Sequence, residues 1–147
     1  MRLRRVNDIL NEPDVAGKLW KSYETYFPEF DWEGLWRVSI SRLAVGDPLI
    51  RCWAGDHEGN LIGVALAEFR QSGKTKWIDV QAMMVNPKVD SRMLADKMFE
   101  ELDRFGRELG ATILCMITER EPAAWIRRYK WEHTRSAMSR PIKDVIQ

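Results

Sequence analysis

The chain has 147 residues, 45% hydrophobic and 31% charged, a length and composition that fit one folded domain around one core and exclude a disordered chain. Its 23 Lys and Arg stand against 22 Asp and Glu, so no overall basic field draws it to nucleic acid. No run approaches the ~18 apolar residues of a membrane span, and the basic start Met1-Arg2-Leu3-Arg4-Arg5 leads into no apolar signal region, so a cytoplasmic protein is expected. Cys52 and Cys115 lack the paired spacing of a zinc site and read as reduced core residues; His57 and His133 are isolated, and no metal site is expected.

In chain order, residues 2–6 form a short strand ended by Asn7 and Asp8. Asn11 is placed to cap a helix whose first turn holds Glu12, Pro13 and Asp14, and whose apolar positions Val15, Leu19, Trp20, Tyr23, Tyr26 and Phe27 recur at three and four. Pro28 closes it. Asp31 caps a second helix carrying Leu35, Trp36, Ile40 and Leu43, which ends at 46–48. Ile50, Cys52 and Ala54 then alternate with Arg51 and Trp53. With the turn at 56–60 and the apolar run 61–69, this predicts a β-hairpin.

A turn at 71–76 leads to a third antiparallel strand, 77–85. Period-two alternation puts Ile78, Val80 and Ala82 on a core face and Trp77, Asp79, Gln81 and Met83 on a polar one. Pro87 breaks the strand. Residues 90–109 carry Leu94, Met98, Leu102 and Phe105, with Phe99 and Leu109 beside them, the single apolar stripe of an amphipathic helix. Gly110 stops that helix, and 111–117 reads as a strand buried on both faces. A βαβ unit follows, with 77–85 and 111–117 parallel and joined by a right-handed crossover. Glu121-Pro122 opens a short helix to Tyr129, and 131–142 is a last strand or strand pair. The expected fold is therefore α+β, one domain over 1–147 with a mixed sheet, in the order β-α-α-β-β-β-α-β-α-β. Of seven tryptophans, Trp20, Trp36 and Trp125 fall on apolar stripes. Trp32 and Trp53 fall outside them and are read as lining a substrate cleft or a protein interface.

This order resembles the GNAT superfamily of acyl-CoA-dependent N-acetyltransferases over nearly the whole chain. Met84-Val85-Asn86-Pro87 is similar to the family's V-x-P at the end of its fourth strand, Met98-Phe99 to its paired leucines, and Arg128-Tyr129-Lys130-Trp131 to its K-x-G-F. The resemblance implies acetyl-CoA as cofactor, its pantetheine along the backbone of Met83, Met84 and Val85. Its phosphates would lie at the start of the long helix near Ser91, Arg92, Met93, Leu94 and Ala95, with Lys88 and Arg92 as nearby cations. Against the family loop R/Q-x-x-G-x-G/A, the chain has Asp90-Ser91-Arg92-Met93-Leu94-Ala95. Met93 stands for a glycine, and Asp90 is a carboxylate able to cap the amides a phosphate would use, a cap worth about 1 kcal/mol. The family's proton-donating tyrosine falls on Ile126 and its loop asparagine on Glu119; Tyr129 lies three residues further on.

Asp79 on the polar strand face and Glu68 on its neighbour are the candidate general bases. Three classes of function stay open. One is acetyl transfer from acetyl-CoA to a primary amine. Another is a catalytically silent GNAT-fold module that binds a protein partner or its own copies, similar to compact GNAT-like proteins of tailed bacteriophages that serve in or around the virion. The third is a nucleic-acid binder, which the neutral charge disfavours.

Overall fold

The computed structural model describes residues 1–28, 30–86 and 91–116. Its elements are β1 (Arg2–Arg5), a 3-10 turn (Ile9–Asn11), α1 (Pro13–Tyr26), α2 (Trp32–Ala44), β2 (Ile50–His57), β3 (Asn60–Ser72), β4 (Thr75–Val85), α3 (Ser91–Leu109) and β5 (Ile113–Met116). The strands form one mixed sheet in the order β1-β2-β3-β4-β5, antiparallel except for the last pair. β4 and β5 run parallel, from Trp77 beside Ile113 to Val80 beside Met116, as the βαβ pattern requires. The expected final helix and strand lie outside the described residues.

Local chemistry sets most element ends. Asp31 caps α2 as predicted, accepting from the Gly34 amide at 3.0 Å. Asn11 does not cap α1. It lies in the 3-10 turn and donates to Asp8 at 2.5 Å, and α1 starts at Pro13, whose fixed φ suits a first helical position. The carboxylate of Glu12, at the cap position, is taken by Arg4 at 2.5 Å. Glu58 and Gly59, both at positive φ, make the two-residue turn between β2 and β3. Gly110 at φ 75 ends α3, and the Ala111 amide donates back to the Gly106 carbonyl at 2.8 Å, which satisfies a terminal carbonyl of the helix.

The sheet is covered on both faces. Val15, Leu19 and Tyr23 of α1 pack on Ile50, Cys52, Ala54, Val64, Leu66 and Ala82. On the other face Leu94, Met98, Leu102 and Phe105 of α3 are buried as the stripe predicts. Gly55 and Gly63 are cross-strand partners beneath Leu94. A Cβ at Gly55 would lie 2.6 Å from a Leu94 methyl; one at Gly63 would lie 2.8 Å from the other methyl and 2.8 Å from the Met84 carbonyl oxygen. Their bareness lets the start of α3 sit close on the sheet.

Several expectations are corrected. The register runs Leu66 to Ala82 and then Ala67 to Val80, so Gln81 is an extra residue, a β-bulge. The bulge breaks strict alternation. Asp79 and Ala82 share the face toward α1 and α2, while Ile78 and Val80 face α3, and so does Met83 beside Ala65. Trp53 is not a surface aromatic: β2 is covered on both faces, and Trp53 is buried edge-on against Phe105. Trp32 is half-buried, edge-on to Trp20, and packs on the core beneath α1. Leu35 and Tyr26, placed on buried stripes, are exposed. β5 alternates exposed and half-buried residues rather than being buried on both faces, and Cys115 on it is exposed, whereas Cys52 is buried as expected.

Candidate active site

The bulge gathers the polar residues. Glu68 on β3 and Asp79 on β4, the two candidate bases, stand directly opposite each other across the strands. Like charges in that position repel, and three neighbouring side chains offset the repulsion. Arg42 of α2 donates from Nη1 to Glu68 Oε2 at 2.5 Å and from Nε to Asp47 Oδ2 at 2.7 Å. Arg70 donates from Nε to Glu68 Oε1 at 2.8 Å and lies 3.1 Å from Asp79 Oδ2. Gln81 Nε2 donates to both carboxylates, at 3.1 Å to Glu68 Oε1 and 3.0 Å to Asp79 Oδ2. Burial pushes the Asp79 carboxyl above the ordinary carboxylate range. The charge of Glu68 adds to this, while Arg70 and the Gln81 hydrogen bond pull the other way.

Tyr23 forms the inner wall on α1. Its hydroxyl shares a 2.8 Å hydrogen bond with Ser39, one helical turn before Arg42, and burial pushes its pKa up, so it is a neutral phenol at physiological pH. Sequence reading found Glu68 and Asp79 but not Arg42, Arg70 or Gln81 as their partners. Arg70 had a signal, two residues from Glu68 on one strand face; Arg42 had none, because only packing brings α2 onto β3.

Beyond Val80 the edge of β4 changes character. Among the described residues β5 pairs with β4 as far as Val80, while β4 continues to Val85. The Asn86 amide donates to the Ile62 carbonyl at 2.7 Å. By the alternation of an antiparallel ladder, the peptide groups of Met83 and Val85 then face away from β3, toward an edge that no strand pairs among the described residues. Met84 packs its side chain on the core beneath α1. At the start of α3, Arg92 and Met93 are exposed and Ala95 is half-buried. Leu94 is fully buried over the paired glycines, so its side chain is withdrawn from any ligand and only its backbone remains for one. Lys88, Asp90, Glu119, Ile126 and Tyr129 lie outside the described residues. Among the described residues no group of His, Cys, Asp and Glu has the arrangement of a metal site, and no helix is long and apolar enough to cross a membrane.

The two thiols differ sharply. Burial pushes Cys52 up to about 12, whereas Cys115 is exposed and lies in register with Asp79. A maleimide is expected to label one thiol of the native protein quickly and the second only after unfolding, and Cys115→Ser should remove the fast phase.

The sequence matches no family model and no curated protein. The structure does have counterparts. It is similar to a predicted acetyltransferase from Clostridium acetobutylicum solved with acetyl-CoA, with a TM-score of 0.71 at 14% identity over 95% of each chain. It is similar to the aminoglycoside acetyltransferase AAC(6')-Iy in complex with a CoA bisubstrate analogue, with a TM-score of 0.69 at 14% identity over 97% of this chain and 98% of that one. A third counterpart is a putative GNAT family acetyltransferase from Staphylococcus aureus, with a TM-score of 0.62 at 16% identity over 78% of this chain and 98% of that one. The chain has the fold of the GNAT acetyltransferases.

Proposed function

We propose that this protein is an acyl-CoA-dependent N-acetyltransferase acting on a primary amine. The observation that carries the reading is the edge of β4 left unpaired among the described residues, where the peptide groups of Met83 and Val85 face outward between the Asp79–Glu68 pair and the start of α3. Such an edge binds an extended amide chain as an added strand, and the pantetheine arm of coenzyme A is one. The backbone of Ser91, Arg92, Met93, Leu94 and Ala95 at the helix start, with Arg92 and Lys88 as cations, is the proposed holder of its phosphates. Bound acetyl-CoA supplies an activated thioester as acyl donor. The Clostridium counterpart was solved with acetyl-CoA and AAC(6')-Iy with a CoA analogue, which supports an acyl-CoA ligand for this fold.

Asp79 is the proposed general base. Its burial raises its basicity, which suits a carboxylate that must take a proton from an ammonium group and free the nitrogen lone pair. Glu68, tied to Arg42 and Arg70, holds the pair together and adds negative charge beside Asp79. Calorimetric titration with acetyl-CoA tests the reading: one site per chain is expected, competed by CoA and tightened by Asp90→Gly combined with Met93→Gly, which removes a carboxylate and a bulky side chain from the proposed phosphate loop. No binding, together with no CoA released in the presence of amines, would overturn it.

A further inference from the structure

Gln81 occupies a position that the pairing of β3 and β4 does not require. As the bulge residue it has no partner on β3, yet its side chain, like that of Arg70, touches both carboxylates. A carboxamide has one donating and one accepting end. Both neighbours of Nε2 are carboxylate oxygens, which accept, so the nitrogen must be the end facing them. Oε1 therefore turns away from the pair, and no described residue donates to it.

We propose that Gln81 is the residue that presents the acceptor amine: Nε2 holds Asp79 and Glu68 together, and Oε1 receives an N–H of the amine beside Asp79. The inference rests on the N-acetyltransferase reading and adds a residue to it. An ammonium group has three N–H donors. One goes to Oε1, a second points to the Asp79 carboxylate that takes its proton, and the nitrogen keeps the lone pair that this transfer frees. The groups facing Asp79 are Glu68 and Arg70 from β3, Arg42 and Tyr23 from the helices above, and Cys115 in register on β5.

Two measurements test this. Carboxyl NMR titration of Asp79 without acetyl-CoA reads the donating end. Gln81→Met removes a hydrogen bond that favours the carboxylate, so the titration midpoint should rise. Gln81→Glu removes it and adds a negative charge, so the midpoint should rise further. Steady-state kinetics with spermidine, tyramine, kanamycin and a lysine-containing peptide reads the accepting end. Gln81→Met should raise the KM of the amine by about tenfold or more, as loss of a hydrogen bond to a charged group does, with acetyl-CoA affinity unchanged. The acid limb of kcat/KM should move to higher pH in the same order as the NMR midpoints. Variants with wild-type amine KM and wild-type Asp79 titration overturn this inference alone, and so does a KM rise matched by lost acetyl-CoA affinity and a lower Tm, which marks a structural role. A wild-type protein that acetylates none of the four amines overturns the N-acetyltransferase reading and this inference with it.

Discussion

Asp79→Asn is expected to lower kcat for amine acetylation by about 10²–10⁴-fold while leaving the protein at least as stable as before at neutral pH. The loss follows from removing the proposed general base; asparagine keeps the shape and the contact with Gln81 but has no basic oxygen. The stability argument follows from the raised pKa. A carboxyl whose folded pKa lies above its unfolded value, about 3.8 for this group, adds no penalty below that value, where both states are protonated. As pH rises through the folded pKa, the folded state must hold a buried charge that the unfolded state solvates easily. Wild-type stability should therefore fall relative to Asp79→Asn across that window and run parallel to it above. Urea unfolding at several pH values, set beside kcat at pH 7, checks both halves. An inactive variant that is also unfolded would show that Asp79 is a structural carboxylate.

Gly63→Val should be the most destabilising single change among the residues discussed. Any side chain at Gly63 meets a Leu94 methyl and the Met84 carbonyl oxygen, each 2.8 Å from its Cβ, and Met98 at 3.3 Å. Leu94 can rotate away at some cost, but a backbone carbonyl within the β3–β4 pairing cannot, so the strands or α3 must shift. Overpacking of this kind costs about 1–3 kcal/mol or more, read as a lower urea midpoint. Gly55→Ala should cost less, because the atoms in its way all belong to the tip of Leu94. The shift also reaches the proposed site, since Met84 lies between the two residues whose peptide groups face away from β3. Gly63→Val should therefore weaken acetyl-CoA binding even under conditions where the protein stays folded. Leu94→Ala should partly rescue Gly55→Ala, and a double-mutant cycle would measure that coupling.

The elements themselves were legible in the sequence because their signals are local. The Leu94, Met98, Leu102 and Phe105 stripe, Gly110 at the end of α3, Asp31 at the start of α2 and a turn within 56–60, which the structure narrows to Glu58-Gly59, each depend on a few neighbouring residues. The parallel pairing of β4 with β5 also followed, because a strand-helix-strand of that length has few other ways to pack. Asp79 and Glu68 could be named as polar strand residues, though not as partners.

Tertiary structure decided what depends on register and on which surfaces are covered. One extra residue, Gln81, sends Val80 and Ala82 to opposite faces, and a period-two pattern has no means of announcing where it slips. Trp53 looked like a surface aromatic because its neighbour Arg51 is charged, yet β2 lies inside the sheet under α3, and Arg51 reaches past Phe105 to Glu108 at 2.6 Å. Arg42 completes the carboxylate cluster from 26 residues away, a distance in sequence that only the packing of α2 on β3 closes. Local propensity acts through bonded neighbours and so can be read along the chain, whereas the electrostatics of the site arise from groups that meet only after the chain has folded.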